Sequence, residues 1–175
     1  MTLIVENGSV VTGAESYITI AQHKVYCDNR GISYSALTDT QLEQNARKAF
    51  DYLLQQYRGK WKGYRKDALQ VGDWPRSFVY LEPFINGAVG AYPYLVADNI
   101  IPVEVMSAQH ELMVRLPTVD SLMPDLGQKE LSITIGPISV DYDPNSQQNT
   151  RYETVDRLLI PYLLVNSATN SVVRG

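Results

Sequence analysis

The chain has 175 residues, 45% of them hydrophobic, which suffices for one ordinary core, and a formal charge of −4. No apolar run approaches the roughly 18 residues needed to span a bilayer, and the opening Met1-Thr2-Leu3-Ile4-Val5-Glu6 lacks the basic region and long apolar core of a signal peptide. Cys27 is the single cysteine, so an internal disulfide is excluded and folding in a reducing cytoplasm is expected.

Leu3-Ile4-Val5 reads as a short strand or extended arm, followed by a loop punctuated by Gly8 and Gly13. Thr19-Ile20-Ala21-Gln22 has the spacing of a capping box and predicts a helix running to about Arg30, stopped by Gly31. Thr38-Asp39-Thr40-Gln41 repeats the device. After it, Leu42, Ala46, Ala49, Phe50, Leu53, Leu54 and Tyr57 recur at steps of three and four, one continuous helical stripe that Gly59 ends.

Residues 59–100 carry five glycines, Pro75, Pro83 and Pro93, and the rings of Trp61, Tyr64, Trp74, Tyr80, Tyr92 and Tyr94, with no helical period. That is too long for a passive connection, so it is expected to be a functional loop or an excursion packed on a neighbour. A third helix is predicted from about Pro102 to Leu116, ended by Pro117. Leu131 to Tyr142 alternates on both sides of Gly136-Pro137 and reads as a β-hairpin. Val155, Leu158, Leu159, Tyr162 and Leu163 make a last short helix that Pro161 should kink or shorten. Asn166 to Gly175 is a small, polar tail except for Val172-Val173. The expected fold is mainly α: a bundle of three to four helices with one hairpin, a long irregular loop and an extended C-terminal tail. Residues 1–165 form its single domain, and 166–175 the tail.

Constellations for chemistry are missing. His23 and His110 are the only histidines, both on predicted helices, and no further ligands stand at zinc spacing around Cys27. His110 reads as a helix-face residue. Asp141-Tyr142-Asp143-Pro144-Asn145-Ser146 lacks the glycine and terminal glutamate of an EF-hand loop and reads as a turn. No Gly-x-Ser-x-Gly occurs, and Gly59 and Gly63 are not followed by Gly-Lys-Ser/Thr. The sequence therefore predicts no enzyme, no cofactor, no metal and no small-molecule substrate.

Charge is distributed unevenly. Residues 47–76 hold eight of the fifteen Lys/Arg against three acids, a net +5, which leaves seven cations and sixteen acids, a net −9, elsewhere. Arg58, Lys60, Lys62, Arg65, Lys66 and Arg76 interleave there with Trp61, Tyr64 and Trp74. A solvated helix end whose cations complement the macrodipole is one reading. Concentrated positive charge offered to an anion, with rings as platforms for bases, is the other. Twelve Tyr against three Phe also suits either a half-buried core rim or an interface.

Several elements in order carry a resemblance: Leu3-Ile4-Val5-Glu6-Asn7-Gly8, Gly13-Ala14-Glu15-Ser16-Tyr17-Ile18-Thr19-Ile20-Ala21, Asp51-Tyr52-Leu53, Tyr57 to Gly63, Trp74-Pro75-Arg76, Ile101 to Val105 with Ala108-Gln109, and Ile135 to Tyr142. Together they resemble the head–tail connector (adaptor) family of tailed phages, some members of which carry the label DnaT-like single-stranded-DNA-binding protein. The match spans nearly the whole chain, although Val79 to Asn99 is longer than that family leads one to expect. The resemblance implies a virion neck protein, made in the host cytoplasm. It would form a homo-oligomeric ring, typically a dodecamer, between the portal protein and a downstream tail or stopper protein, and pass double-stranded DNA non-specifically. By position, Asn170, Val172, Val173 and Arg174 would dock on the portal. The basic segment would line the channel or pair with acids such as Asp120 or Asp125 of an adjacent subunit. The interface role is preferred, since channel walls need not be cationic and Trp61 and Trp74 suit interface anchors. The alternative is a single-stranded-DNA-binding module in which Trp61, Tyr64 and Trp74 stack on bases beside Lys60, Lys62 and Arg65.

Overall fold

The computed structural model describes residues 2–81, 94–119, 121–124, 132–135, 138–141 and 150–164. Its helices are α1 (Ile20–Asp28), α2 (Asp39–Tyr57), α3 (Val103–Arg115) and α4 (Glu153–Leu159), which makes the fold mainly α as expected. Three antiparallel two-stranded ladders accompany them among the described residues. β1 (Tyr64–Arg65) pairs β2 (Arg76–Ser77), β3 (Tyr80–Leu81) pairs β4 (Tyr94–Leu95), and β5 (Ser132–Ile135) pairs β6 (Ile138–Asp141).

Both helix starts are set by reciprocal capping. The Thr19 hydroxyl accepts the Gln22 amide N–H while the Gln22 side chain accepts the Thr19 N–H, and Thr38 and Gln41 repeat the exchange at α2. Gly31 at φ +64° and Gly59 at φ +84° take the left-handed geometry just beyond the two helix ends. The α-helices end before the prolines as expected, α3 at Arg115 and α4 at Leu159. Pro117 and Pro161 sit inside single 3-10 turns, Leu116–Thr118 and Ile160–Tyr162, that extend α3 and α4. β5 and β6 pair Ile135 with Ile138, so the hairpin stands, with residues 136–137 outside the described ones.

α3 is the central helix, packed against α2 on one side and α4 on the other. The α2 stripe buries Leu42, Ala46, Ala49, Phe50, Leu53 and Tyr57, together with Tyr52. Each such Leu or Phe stabilises the fold by about 1.5–3 kcal/mol relative to exposure. Gln109 is fully buried on α3, where its amide donates to the Ala46 carbonyl on α2 and to the Ser16 hydroxyl. Its oxygen accepts the Tyr17 N–H, so one side chain joins α3, α2 and the N-terminal arm.

The abundance of tyrosine over phenylalanine has a structural cause. Tyr57 on α2 donates to Asp156 on α4, Tyr162 donates to Glu104 on α3, and Tyr26 on α1 donates to Glu111 on α3. Each ring fills the packing between elements while its hydroxyl ties one element to a carboxylate of another. The Tyr17 hydroxyl accepts the backbone N–H groups of Asp73 and Trp74.

α1 meets α3 through a buried histidine pair, with Nδ1 of His23 3.0 Å from Nδ1 of His110. The Tyr26 ring stacks on His110 at 4.3 Å with Arg30 over its other face, and Cys27 Sγ lies 3.5 Å from Nε2 of His23. Burial depresses both imidazoles to about 4, with the opposing histidine and Arg30 adding to the effect at His110 and Glu111 opposing it. The unfolded chain takes up these protons near pH 6.5, so the contribution of the neutral pair is complete above that pH and falls away as pH drops from 6.5 toward 4. Denaturant titrations should show stability declining from pH 7 to 5, and a His23→Gln/His110→Gln variant should lose most of that slope. Equal slopes in the two proteins would refute the assignment.

Candidate nucleic-acid interface

The basic segment begins where α2 ends. Arg58 turns the chain, and Trp61 then drops inward, its strand bridging antiparallel to Leu163 through Lys62 N–H to the Tyr162 carbonyl (2.9 Å) and Leu164 N–H to the Lys60 carbonyl (2.7 Å). β1 and β2 follow, with the loop between them folded on itself. There Gln70 accepts the Asp67 N–H and donates to the Gly72 and Pro75 carbonyls, and Arg65 donates to the Gln70 carbonyl.

A buried carboxylate holds this excursion in place. Asp73 accepts Nε of Arg58 (3.2 Å) and Nε1 of Trp61 (3.2 Å), and Arg58 also donates to the Val71 carbonyl. Trp74 is 0% exposed and meets Trp61 and Tyr162 edge-on at 5.7 and 5.5 Å. The guanidinium of Arg76 is spent on the carbonyls of Lys62, Gly63 and Asp73.

This packing divides the expected site residues into buried and exposed ones. Trp61, Trp74 and Arg76 lie inside their own chain, so in this conformation neither indole can stack on a base or anchor a neighbouring subunit, and Arg76 braces backbone. Within this chain, Asp73, Tyr17 and the indoles tie residues 59–81 to α2 and the N-terminal arm. Asn170, Val172, Val173 and Arg174, and the acids Asp120 and Asp125, lie outside the described residues.

What stays at the surface is a smaller set: Arg58, Lys60, Tyr64, Arg65 and Lys66 are exposed and Lys62 is half-buried. Lys62 Nζ donates to the Tyr80 and Pro161 carbonyls, and Lys66 lies 3.6 Å from Asp98, a half-exposed pair worth little by itself. Those two contacts, with Val96 N–H on the Val79 carbonyl, join the β1–β2 and β3–β4 ladders into one stretch of surface. Tyr64 (74% exposed), Phe78 (63%), Tyr80 and Tyr94 (70%) are exposed along these ladders, with Tyr80 and Tyr94 on opposite faces of β3–β4 by its register. Phe78 was not singled out from the sequence; the alternation Phe78 out, Val79 in, Tyr80 out was its available signal.

Cations beside exposed rings make an arrangement for anionic and aromatic ligands. Among the described residues no three His, Cys, Asp or Glu side chains converge to hold a metal ion, and no helix is long and apolar enough to cross a membrane. A family model described as "Putative DnaT-like ssDNA binding protein" matches residues 1–175. The chain belongs to this DnaT-like family. Comparison with curated proteins and with solved structures yields no match.

The Asp73 site makes a sharp prediction about which cations are structural. Arg58→Ala strands a buried carboxylate on a single indole N–H and should cost about 3 kcal/mol. Lys60→Ala removes an exposed ammonium and should stay within about 0.5 kcal/mol of the parent protein. Urea denaturation of both variants checks this, and equal losses would remove Asp73 from its proposed role.

Proposed function

We propose that the chain binds single-stranded nucleic acid without sequence preference, on the surface of the β1–β2 and β3–β4 ladders. The observation that carries this reading is the joint exposure of Tyr64, Tyr80 and Tyr94 beside Lys60, Lys62, Arg65 and Lys66. Rings supply sequence-tolerant stacking on bases, while the cations follow the phosphates. The rest of the chain is acidic, so affinity depends on this patch alone and is modest and salt-sensitive. The family description supports the same reading.

A second reading is favoured by a separate observation. Leu69 (91% exposed), Leu95, Ile160 and Leu164 are exposed aliphatic side chains that offer a base no aromatic face but suit contact with another protein. Together with the sequence resemblance, they support a head–tail adaptor that assembles as a ring with portal and tail proteins in a phage neck.

Fluorescence anisotropy of a labelled oligothymidylate of about a dozen nucleotides separates the two. Four neutralised phosphates on a single strand give a slope of log K against log salt of about −3. Tyr64→Ala/Tyr94→Ala should weaken binding at least about 10-fold, and Lys60→Ala/Lys62→Ala/Arg65→Ala should flatten the slope toward −1. Absence of binding at low salt, with a ring or a portal complex seen by light scattering, would replace this reading with the adaptor.

A further inference from the structure

Two non-glycine residues among those described adopt left-handed backbone geometry, Val10 at φ +62° and Phe78 at φ +59°. For β-branched and bulky side chains this is an unfavourable region. At Val10 the surroundings account for it. The buried Glu6 carboxylate accepts the backbone N–H groups of Gly8, Val10 and Val11, and a loop wrapped round one carboxylate must bend sharply.

Phe78 gets no such return. It joins β2 to β3, where the strand must leave its pairing with β1 and begin pairing with β4, and glycine would make that switch without strain. The switch itself is imposed from both sides. Arg76 grips the Lys62 and Gly63 carbonyls, and Gly63, at φ +65°, lies so close that an added Cβ would meet the Ser77 carbonyl. Val79, fully buried, fixes the chain immediately afterwards. A phenyl ring placed here carries a strained backbone and a large exposed apolar surface together, and neither stabilises this chain. Strain of this kind, held in place by its neighbours, is characteristic of contact sites.

We propose that Phe78 is a base-stacking residue for single-stranded nucleic acid, held outward by its backbone at the junction of β2 and β3. This rests on the strand-binding reading above and adds one further contact residue to it. A ring whose backbone is fixed before the ligand arrives loses little freedom on binding, so its contribution should exceed that of a more adaptable tyrosine. Lys62, whose ammonium sits on the Tyr80 carbonyl, is placed to meet the neighbouring phosphate.

The test uses Phe78→Gly and Phe78→Trp in the full chain, with labelled oligothymidylate as probe and thermal melting as the second readout. Phe78→Gly relieves the left-handed strain, so its melting temperature should rise while strand affinity falls about 5- to 150-fold, the range for losing one stacked base. Phe78→Trp should retain binding or tighten it. If the parent binds single strands and Phe78→Gly binds equally well, the assignment of Phe78 fails and the strand-binding reading stands. If the parent binds no strand and Phe78→Gly instead disturbs self-association seen by light scattering, both fall, and the ring belongs to a protein contact.

Discussion

A carboxylate buried beneath a positively charged loop is the interaction from which the rest of this structure follows. Asp73 takes Arg58 from the end of α2 and Trp61 from the chain just beyond it, while its own backbone N–H rests on Tyr17 near the N-terminus. Desolvating an acid is expensive unless its bonds are made. The protein meets that demand by drawing the Trp61 indole inward and committing one arginine to the acid. The excursion after α2 is therefore part of the core, and the surface it presents is whatever remains once Asp73 is satisfied.

Polar atoms anchored on buried rings recur throughout. Tyr57 with Asp156, Tyr162 with Glu104 and Tyr26 with Glu111 each connect two helical elements across a distance that an aliphatic core would leave unspecified. Three of the twelve tyrosines brace one helical element to another, and the exposed tyrosines of the two ladders are a separate group placed on strands. Interior rings set the geometry, and exterior rings are available for ligands.

Local signals in the sequence were sufficient for local structure. The boxes at Thr19 and Thr38, the stripe from Leu42 to Tyr57, the α3 segment after Pro102 and the alternation around Gly136-Pro137 all describe the elements that form. Destinations of side chains were less legible. Alternating cations and rings after a helix give the same pattern whether Trp61 faces water or core, and what decides is Asp73, twelve residues on. Trp74 is fixed by Tyr17, 57 residues away, and His23 by His110, 87 residues away. Pairings at those separations leave no periodic trace. The candidate surface was thus half legible: its cations and Tyr64 were visible in the charge run, whereas Phe78, Tyr80 and Tyr94 are distinguished from the buried rings only by the folded chain.

The buried pairing of α1 with α3 has one practical corollary. Cys27 is the chain's single thiol, it is 1% exposed, and burial pushes its ionisation up. A neutral thiol shielded in this way resists alkylating and disulfide reagents for as long as the helix stays seated. Its modification rate consequently clocks the lifting of α1 from the bundle, one event reported by one atom, against a background free of other sulfhydryls.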